Sequence, residues 1–417
     1  MHHIYDNINN QITTEAGIPL CLRTDPRFDR MVSQPISIGD RSRVHPKTRH
    51  ISKLKIQVGL GCNFNCRYCG QREYDRRYPL IHRKSPDEEV RAFMKRLDTM
   101  TDTVNNIMLM GGEPFLYMDR LVLLVKGLRK RYPDARLGII TNGSFLNNKV
   151  VDWCLDNRIN LIVSHDGSTF TDYRDGHDIL DNQSILEGIR HYIDENAMRE
   201  LGLKFQINVV VTPKNRILCE LKPWFTEKIG RDVDLHFESI VKLNQTTCQL
   251  VDSFNEDELN ELLGEIFNAG INNDLLNPLW DIQRQAINVQ RRLVGEVDLR
   301  KIRFSCDNVE EDVLSVDLQG NLLFCHAYPV EKTGYGVMED MGTKACTLFN
   351  GWEKRYACRC CPFLVACLGG CAIQDEVNHE ISCRTLHIWN MGLFFAAWFR
   401  IFGSVIQSIS PERTELL

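Results

Sequence analysis

The sequence has no stretch long and apolar enough to cross a bilayer. Its richest late run, "MGLFFAAWF", ends at Arg400 after nine residues, whereas a spanning helix needs about 20. It reads as a buried helix. The opening "MHHIYDNINNQITTEAG" has neither a basic start nor an apolar core, so no secretory signal is expected. No charge sign dominates, with 50 Lys and Arg against 55 Asp and Glu, and a nucleic-acid partner has no electrostatic support. Low-complexity tracts are missing as well. The composition, 43% hydrophobic and 25% charged, is that of a folded globular chain. These absences lead us to expect a cytoplasmic protein with no membrane or nucleic-acid partner.

Cysteine, by contrast, is plentiful: the chain has 16 in 417 residues. Without a secretion signal, metal ligands or catalytic thiols are expected before disulfides. Cys62, Cys66 and Cys69 crowd into "GLGCNFNCRYCGQ", eight more lie from Cys306 to Cys371, and Cys383 follows. Only Cys21, Cys154, Cys219 and Cys248 are scattered, and they read as small core hydrophobes. A structural zinc site wants four ligands. Three thiolates at gaps of 3 and 2 residues suit a metal centre that keeps one position open.

From about residue 52, short β-rich runs alternate with helical patterns. The strand candidates are "LKIQVGL", "NIMLMGG", "RLGIITNG", "NLIVSHDG", "FQINVVVT" and "VDLHFESI". In "SPDEEVRAFMKRL", Ser85 is an N-cap, Pro86 takes the first helical position and Glu88 completes a capping box. "MDRLVLLVKGLRKRY" ends in cations before Pro133, both stop signals. Six such β-then-α units imply a parallel sheet buried on both faces. Functional residues then belong at the carboxyl ends of the strands. The cysteine motif, "GGEP", "TNGS" and the segment from Ser164 to Gly167 each follow one of the first four strands. They should converge. Residues 254–296 have helical spacing through Leu259, Leu262, Leu263, Ile266 and Phe267.

With this motif the sequence resembles the radical S-adenosylmethionine (AdoMet) enzymes. The resemblance implies a [4Fe–4S] cluster on Cys62, Cys66 and Cys69, with AdoMet chelating the fourth iron. Reductive cleavage of AdoMet would release a 5′-deoxyadenosyl radical that takes a hydrogen atom from substrate. Gly111, Gly112, Glu113 and Pro114 look like the family's GGEP motif, whose glycines would let the backbone approach the methionyl group. Glu113 would meet the AdoMet ammonium. Tyr68 matches the position whose backbone meets adenine, and Ser164 in "SHDG" the strand end near the ribose. His165 departs from the usual apolar residue and can be structural. Asn142 and Arg174 are further expected contacts, although Arg174 taken alone reads as a surface cation.

The later cysteines resemble a SPASM domain, which in its family holds two auxiliary [4Fe–4S] clusters. Cys306 precedes Gly320 by 13 residues and Cys325 follows after four more; Cys358, Cys361, Cys367 and Cys371 are spaced by 2, 5 and 3, before Cys383. The resemblance implies a nearer auxiliary cluster on Cys306, Cys325 and Cys371. A farther one would use Cys358, Cys361, Cys367 and Cys383. The nearer cluster then has only three evident ligands; Cys346, Cys360, a non-cysteine group or an open site completes it. Either of those two thiols can alternatively return a hydrogen atom to a substrate radical, as in peptide epimerases.

The fold class expected is α/β, a partial (β/α)6 TIM-like barrel followed by a cysteine-rich SPASM domain. The boundaries expected are 1–51 for an N-terminal extension, 52–240 for the barrel and 241–300 for a helical bridge. The SPASM domain would take 301–390 and a closing helix and tail 391–417. This resemblance implies maturation of a ribosomally made peptide, with an oxidative C–C, C–O or C–S crosslink as the first reading. His326 follows Cys325 where standard sulfatase maturases have an aspartate, and can accept a proton from the product. An epimerase, a non-standard sulfatase maturase and, last, a non-catalytic metal scaffold are the alternatives. The expected partners are a precursor peptide and a reductant such as flavodoxin or ferredoxin. Only about 50 residues precede the barrel and show no winged-helix pattern, so a leader would be held by the barrel, by the SPASM region or by a separate leader-binding protein as a further partner.

Overall fold

The computed structural model describes residues 46–73, 85–174, 177–239, 251–272, 279–294, 296, 305–347, 350–359 and 361–403, with two short strands near the start. Those strands, β1 (His3–Asp6) and β2 (Gln11–Thr14), pair antiparallel. The six expected runs all form strands: β3 (His50–Gly59), β4 (Thr103–Gly111), β5 (Arg136–Thr141), β6 (Ile159–Ser164), β7 (Phe205–Val211) and β8 (Asp234–Ser239). They lie in that order and in parallel. Near-continuous apolar runs form them because both faces are covered.

Three further strands extend this sheet: β9 (Val313–Asp317), β10 (Asn321–Leu323) and β11 (Gly334–Val337). β9 pairs parallel with β3, from Lys53 opposite Val313 to Gln57 opposite Asp317. β10 and β11 then turn back antiparallel. The sheet thus has nine strands in the order β11-β10-β9-β3-β4-β5-β6-β7-β8. The cysteine-rich region thus begins by sharing the main sheet. All five residues of β9 are buried.

Helices cover the faces. α1 (Pro86–Met100) starts on the expected capping box, with Ser85 accepting from the Glu88 N–H and Glu88 reaching back to the Ser85 N–H. α2 (Met118–Arg131) ends in Arg129, Lys130 and Arg131. α3 (Asn148–Asp156), α4 (Gln183–Met198) and α5 (Leu218–Ile229) complete the repeating units. Arg120 on α2 and Glu89 on α1 form a buried ion pair at 2.7 Å, and Gln319 Nε2 donates to the same carboxylate at 2.6 Å. This joins the outer helices to the β9–β10 turn.

The bridging helices are α6 (Glu256–Ile271) and α7 (Trp280–Leu293), and the last helix is α8 (Glu376–Phe402). One helix therefore crosses the boundary expected at residue 390, because no proline falls between Asp375, its N-cap, and Gly403, its left-handed cap. The "MGLFFAAWF" run is its buried end, with Leu393, Phe394, Ala396, Ala397 and Trp398 enclosed. Small residues bring α6 and α8 together. A Cβ on Gly392 would lie 2.8 Å from Ile266, and one on Gly270 2.6 Å from Ala396. No helix among the described residues is long and apolar enough to cross a membrane.

Asp281 ties α7 to β8. It is buried and accepts from His236 Nδ1 at 3.0 Å, Arg284 at 2.6 Å and the Phe237 N–H at 3.2 Å. Burial alone would raise its pKa, but these partners outweigh that and hold it at about 2. A carboxylate depressed in the folded state stabilises above its unfolded pKa and loses that contribution as pH falls through the folded value. Asp281→Asn is expected to cost about 2 kcal/mol at pH 5, where His236 is also protonated. Between about pH 4 and pH 2 the gap to the parent should close in urea titrations. A constant gap would show that the charge is not what stabilises.

Candidate metal centre and cofactor site

The loop after β3 carries Cys62, Cys66 and Cys69, and the loop after β4 crosses it. The Gly112 N–H donates to Gly59 O at 2.8 Å and the Glu113 N–H to Gly61 O at 2.7 Å. Gly111 has φ +152, and a Cβ there would stand 2.0 Å from Gly59 O; one on Gly112 would stand 2.1 Å from Gly61 O. In this structure the two glycines are therefore required by the cysteine loop itself. The sequence reading had given them to the methionyl group. Tyr117 holds the same loop, its hydroxyl accepting from the Gly61 N–H at 2.8 Å.

Glu113 is completely buried. Its Oε1 accepts from the Phe115 N–H at 3.1 Å and Thr141 Oγ1 at 2.8 Å, and its Oε2 from the Asn142 N–H at 2.7 Å. Burial pushes its pKa up to about 7 against the pull of these bonds. Asn142 links the carboxylate to the cysteines, with Nδ2 2.9 Å from Asn63 Oδ1 and 3.8 Å from Cys62 Sγ. Cys66 feels the charge of both Cys62 and Cys69, and burial pushes its thiol up to about 12. Metal binding there would have to displace a proton.

Arg174 is no surface cation. It is buried and forms a forked pair with the buried Asp166, at 2.8 Å and 3.2 Å. Asp166 also accepts from the Tyr68 hydroxyl at 2.5 Å and the Val210 N–H at 3.1 Å. The guanidinium lies 5.4 Å from the Tyr68 ring centroid. Tyr68 is thus fixed beside Cys66 by the loop after β6. Arg174→Ala leaves Asp166 charged, buried and without its counter-ion, which is expected to cost about 3–5 kcal/mol. A loss below about 1 kcal/mol in urea titrations would mark the pair as solvent-screened.

Ser164 sits half-buried at the end of β6. The His165 side chain has a structural role. Its Nδ1 accepts from the Gly167 N–H at 3.0 Å, so Nε2 carries the proton and donates to Asp178 Oδ1 at 2.8 Å. The ring packs among Phe170, Trp224 and Phe225, and burial lowers its pKa despite Asp178. Cys62, Cys66, Cys69, Tyr68, Glu113, Asn142, Ser164 and Arg174 thus all lie on loops or strand ends at the carboxyl edge of β3 to β6.

The later cysteines gather in two groups. Charge on Cys306 and Cys371 is felt at Cys325, and charge on Cys371 at Cys306. Side chains of β3 position this group. Lys55 pairs with Asp307 and donates to Asn308 Oδ1 at 2.8 Å, and Gln57 Nε2 donates to His326 O at 2.7 Å. Lys47 Nζ adds bonds to Asn308 O and Glu310 O at 2.7 Å and 2.6 Å. In the second group, charge on Cys358, Cys361 and Cys383 is felt at Cys367. Leu368, Gly369 and Gly370 all have positive φ, and this left-handed run separates Cys367 from Cys371. Arg355 stands between the groups, bonding Gly369 O at 2.8 Å and Cys371 O at 3.1 Å. Its guanidinium feels Cys358, Cys367 and Cys383 from one group and Cys371 from the other.

Among the described residues, no three His, Cys, Asp or Glu side chains converge as on a single metal ion. The two cysteine groups fit the donor chemistry of iron–sulfur clusters, whose thiolates bind different irons. Burial pushes Cys306 up to about 11, and Cys325, Cys358 and Cys367 up to about 12.

The remaining cysteines and His326 lie in different surroundings. Cys346 is completely buried in a small apolar cluster with Phe324, Trp352 and Cys358, against which Cys306 packs. Cys360, Cys21 and Cys248 lie outside the described residues. Cys154 is core as expected, but Cys219 is exposed at the start of α5. His326 Nδ1 is buried with no hydrogen-bond partner. Burial, then the Lys55 charge, push its pKa down to about 3, which weakens it as a proton acceptor. The sequence reading missed His379 and His387. Four residues either side of Cys383, they stand 3.6 Å from Cys358 Sγ and 3.7 Å from Cys361 Sγ.

Residues 56–212 match the model of the Radical SAM superfamily. The chain is 30% identical over 165 residues to a GTP 3′,8-cyclase of Campylobacter jejuni subsp. doylei, covering 39% of this chain and 48% of that protein. It is 26% identical over 222 residues to the same-named protein of Sulfurimonas denitrificans, covering 52% and 64%. The chain spans about half the length of the first of these relatives. Among solved structures, anSMEcpe with bound AdoMet is similar with a TM-score of 0.56 at 16% identity, over 86% of this chain and 100% of that one. Streptococcus suis SuiB bound to precursor peptide SuiA gives 0.52 at 15%, over 78% and 72%. These two likenesses show the fold. Because the matched segment carries the strands and loops that gather Cys62, Cys66, Cys69 and Glu113, residues 56–212 are a domain of the radical SAM superfamily.

Proposed function

We propose that this chain is a radical SAM maturase that oxidatively crosslinks side chains of a ribosomally made peptide. The observation that carries this reading is the gathering of seven further cysteines into two groups beyond the strand-end site. Cys62, Cys66 and Cys69 would hold an AdoMet-binding cluster, and the other two groups auxiliary ones. When bound, the cluster and AdoMet supply one-electron C–S cleavage and hydrogen-atom abstraction from an unactivated C–H. Asn142 and Glu113 brace the cysteine loop, and the Asp166–Arg174 pair holds Tyr68 against it. The Cys306 and Cys358 groups would hold acceptors for the electron that leaves the substrate. The similarity of the fold to SuiB, crystallised with a precursor peptide, supports a peptide substrate.

A crosslink removes two hydrogens, so the product should be about 2 Da lighter and take no deuterium from solvent. An epimerase would leave mass unchanged in water and add about 1 Da per centre in deuterium oxide. The complete enclosure of Cys346 argues against it as the thiol donor. The curated relatives favour a second reading, cyclisation of GTP. Mass spectrometry with the precursor peptide and with GTP, each with AdoMet and dithionite, decides among these. Conversion of GTP alone would overturn the peptide reading.

A further inference from the structure

α8 carries His379, Cys383 and His387 at steps of four residues, which puts all three on one stripe of the helix. That stripe faces the segment bearing Cys358, Cys361 and Cys367. His379 Nε2 lies 3.6 Å from Cys358 Sγ and 3.3 Å from Gly369 O. A carbonyl oxygen can only accept, so Nε2 carries the hydrogen and shares it between oxygen and sulfur. His387 Nδ1 lies 3.7 Å from Cys361 Sγ, and its ring stands edge-on to Phe363 at 4.9 Å between centroids. A thiolate ligating iron has no hydrogen to give. Once Cys361 is such a ligand, Nδ1 must be the donor. A groove of about 780 Å³, lined by Arg355, His379, Cys383, Arg384 and His387 among others, opens beside this group.

We propose that His379 and His387 are positioning residues that raise the reduction potential of a cluster held by Cys358, Cys361, Cys367 and Cys383. This rests on the proposed reading of those cysteines as cluster ligands. An electron added to an iron–sulfur cluster increases negative charge on its sulfurs, and N–H donors aimed at those sulfurs stabilise the reduced form. The two imidazoles supply one such donor to each of two ligands, on the side where the groove opens. The step is one-electron reduction by dithionite, with no bond made or broken in the protein.

The test is a dithionite titration of the reconstituted full chain, followed by electron paramagnetic resonance. A Cys62→Ala, Cys66→Ala, Cys69→Ala background leaves only the two auxiliary signals. In His379→Phe plus His387→Phe, the ratio of reduced to oxidised farther cluster at fixed potential should fall at least about tenfold, about 59 mV for a one-electron couple. The nearer cluster should not move. Glutamine at both positions keeps an N–H and should restore most of the shift. An unmoved potential with iron retained, or equal movement of both clusters, would overturn the proposal. Where the phenylalanine variants shed iron, protein labelled with 15N-histidine supplies the answer without substitution. Electron spin-echo spectra must then show imidazole nitrogen coupled to the farther cluster, and absence of coupling overturns the proposal. If Cys358→Ser and Cys383→Ser remove no iron, the cluster reading itself fails, whatever the histidines do.

Discussion

Replacing Cys62, Cys66 and Cys69 together by alanine is expected to remove about four of about twelve irons per chain and to abolish AdoMet cleavage. The loop should survive the change. Its backbone is held by Gly112 and Glu113 donating to Gly59 O and Gly61 O, and by the Tyr117 hydroxyl on Gly61, none of which involves a thiol. Circular dichroism and the melting temperature should therefore stay close to the parent's. The Cys306 and Cys358 groups lie on other segments and should keep about eight irons. Loss of cleavage in a folded protein that keeps its remaining iron assigns the chemistry to this loop. Cleavage that persists in the triple variant would end the radical reading.

The second large effect concerns the Cys358, Cys361, Cys367 and Cys383 group. Cys383→Ser should remove about four irons and block completed product while AdoMet cleavage continues. Cleavage draws on the strand-end loops, whereas finishing a crosslink needs somewhere for the substrate's electron to go. Cys383 is well placed for this test because α8 is anchored elsewhere. Gly392 packs against Ile266, Trp389 Nε1 donates to Gln285 Oε1 at 3.1 Å, and Arg400 Nε to Gln290 Oε1 at 3.1 Å. Undiminished crosslinked product from soluble, iron-depleted protein would show that the group has no part in oxidation.

The six parallel strands were legible because each is a dense apolar run between turn signals, and burial on both faces demands such runs. The strand-end rule then located the cysteine loop, Glu113, Asn142 and Ser164 together without any knowledge of contacts. The pairing of β9 with β3 was not legible. A strand's sequence encodes which faces are buried, but not which edge it meets across some 250 residues of chain. Arg174 was misjudged alone for a related reason: its partner Asp166 lies eight residues earlier, across a turn and a short helix. The purpose of Gly111 and Gly112 was half visible. Close approach could be read from the glycines, but not that the backbone of the cysteine loop also lies against them. His379 and His387 had a signal in the sequence, two histidines flanking Cys383 at helical spacing. That spacing acquires meaning only because the helix starts at Glu376, well before the boundary expected at residue 390.

The shared sheet has a consequence for how this protein can be divided. β3 is an interior strand only because β9 lies against it. A fragment ending near residue 300 would turn β3 into an edge, with unpaired N–H and C=O groups along a row that includes the buried Leu54 and Ile56. Such an edge is a template for pairing with another chain. The radical SAM segment and the cysteine-rich segment are therefore not detachable modules to be exchanged by recombination at a linker. They would be inherited as one unit, and the spacing between their cysteine groups is set by a hydrogen-bonded ladder rather than by a hinge.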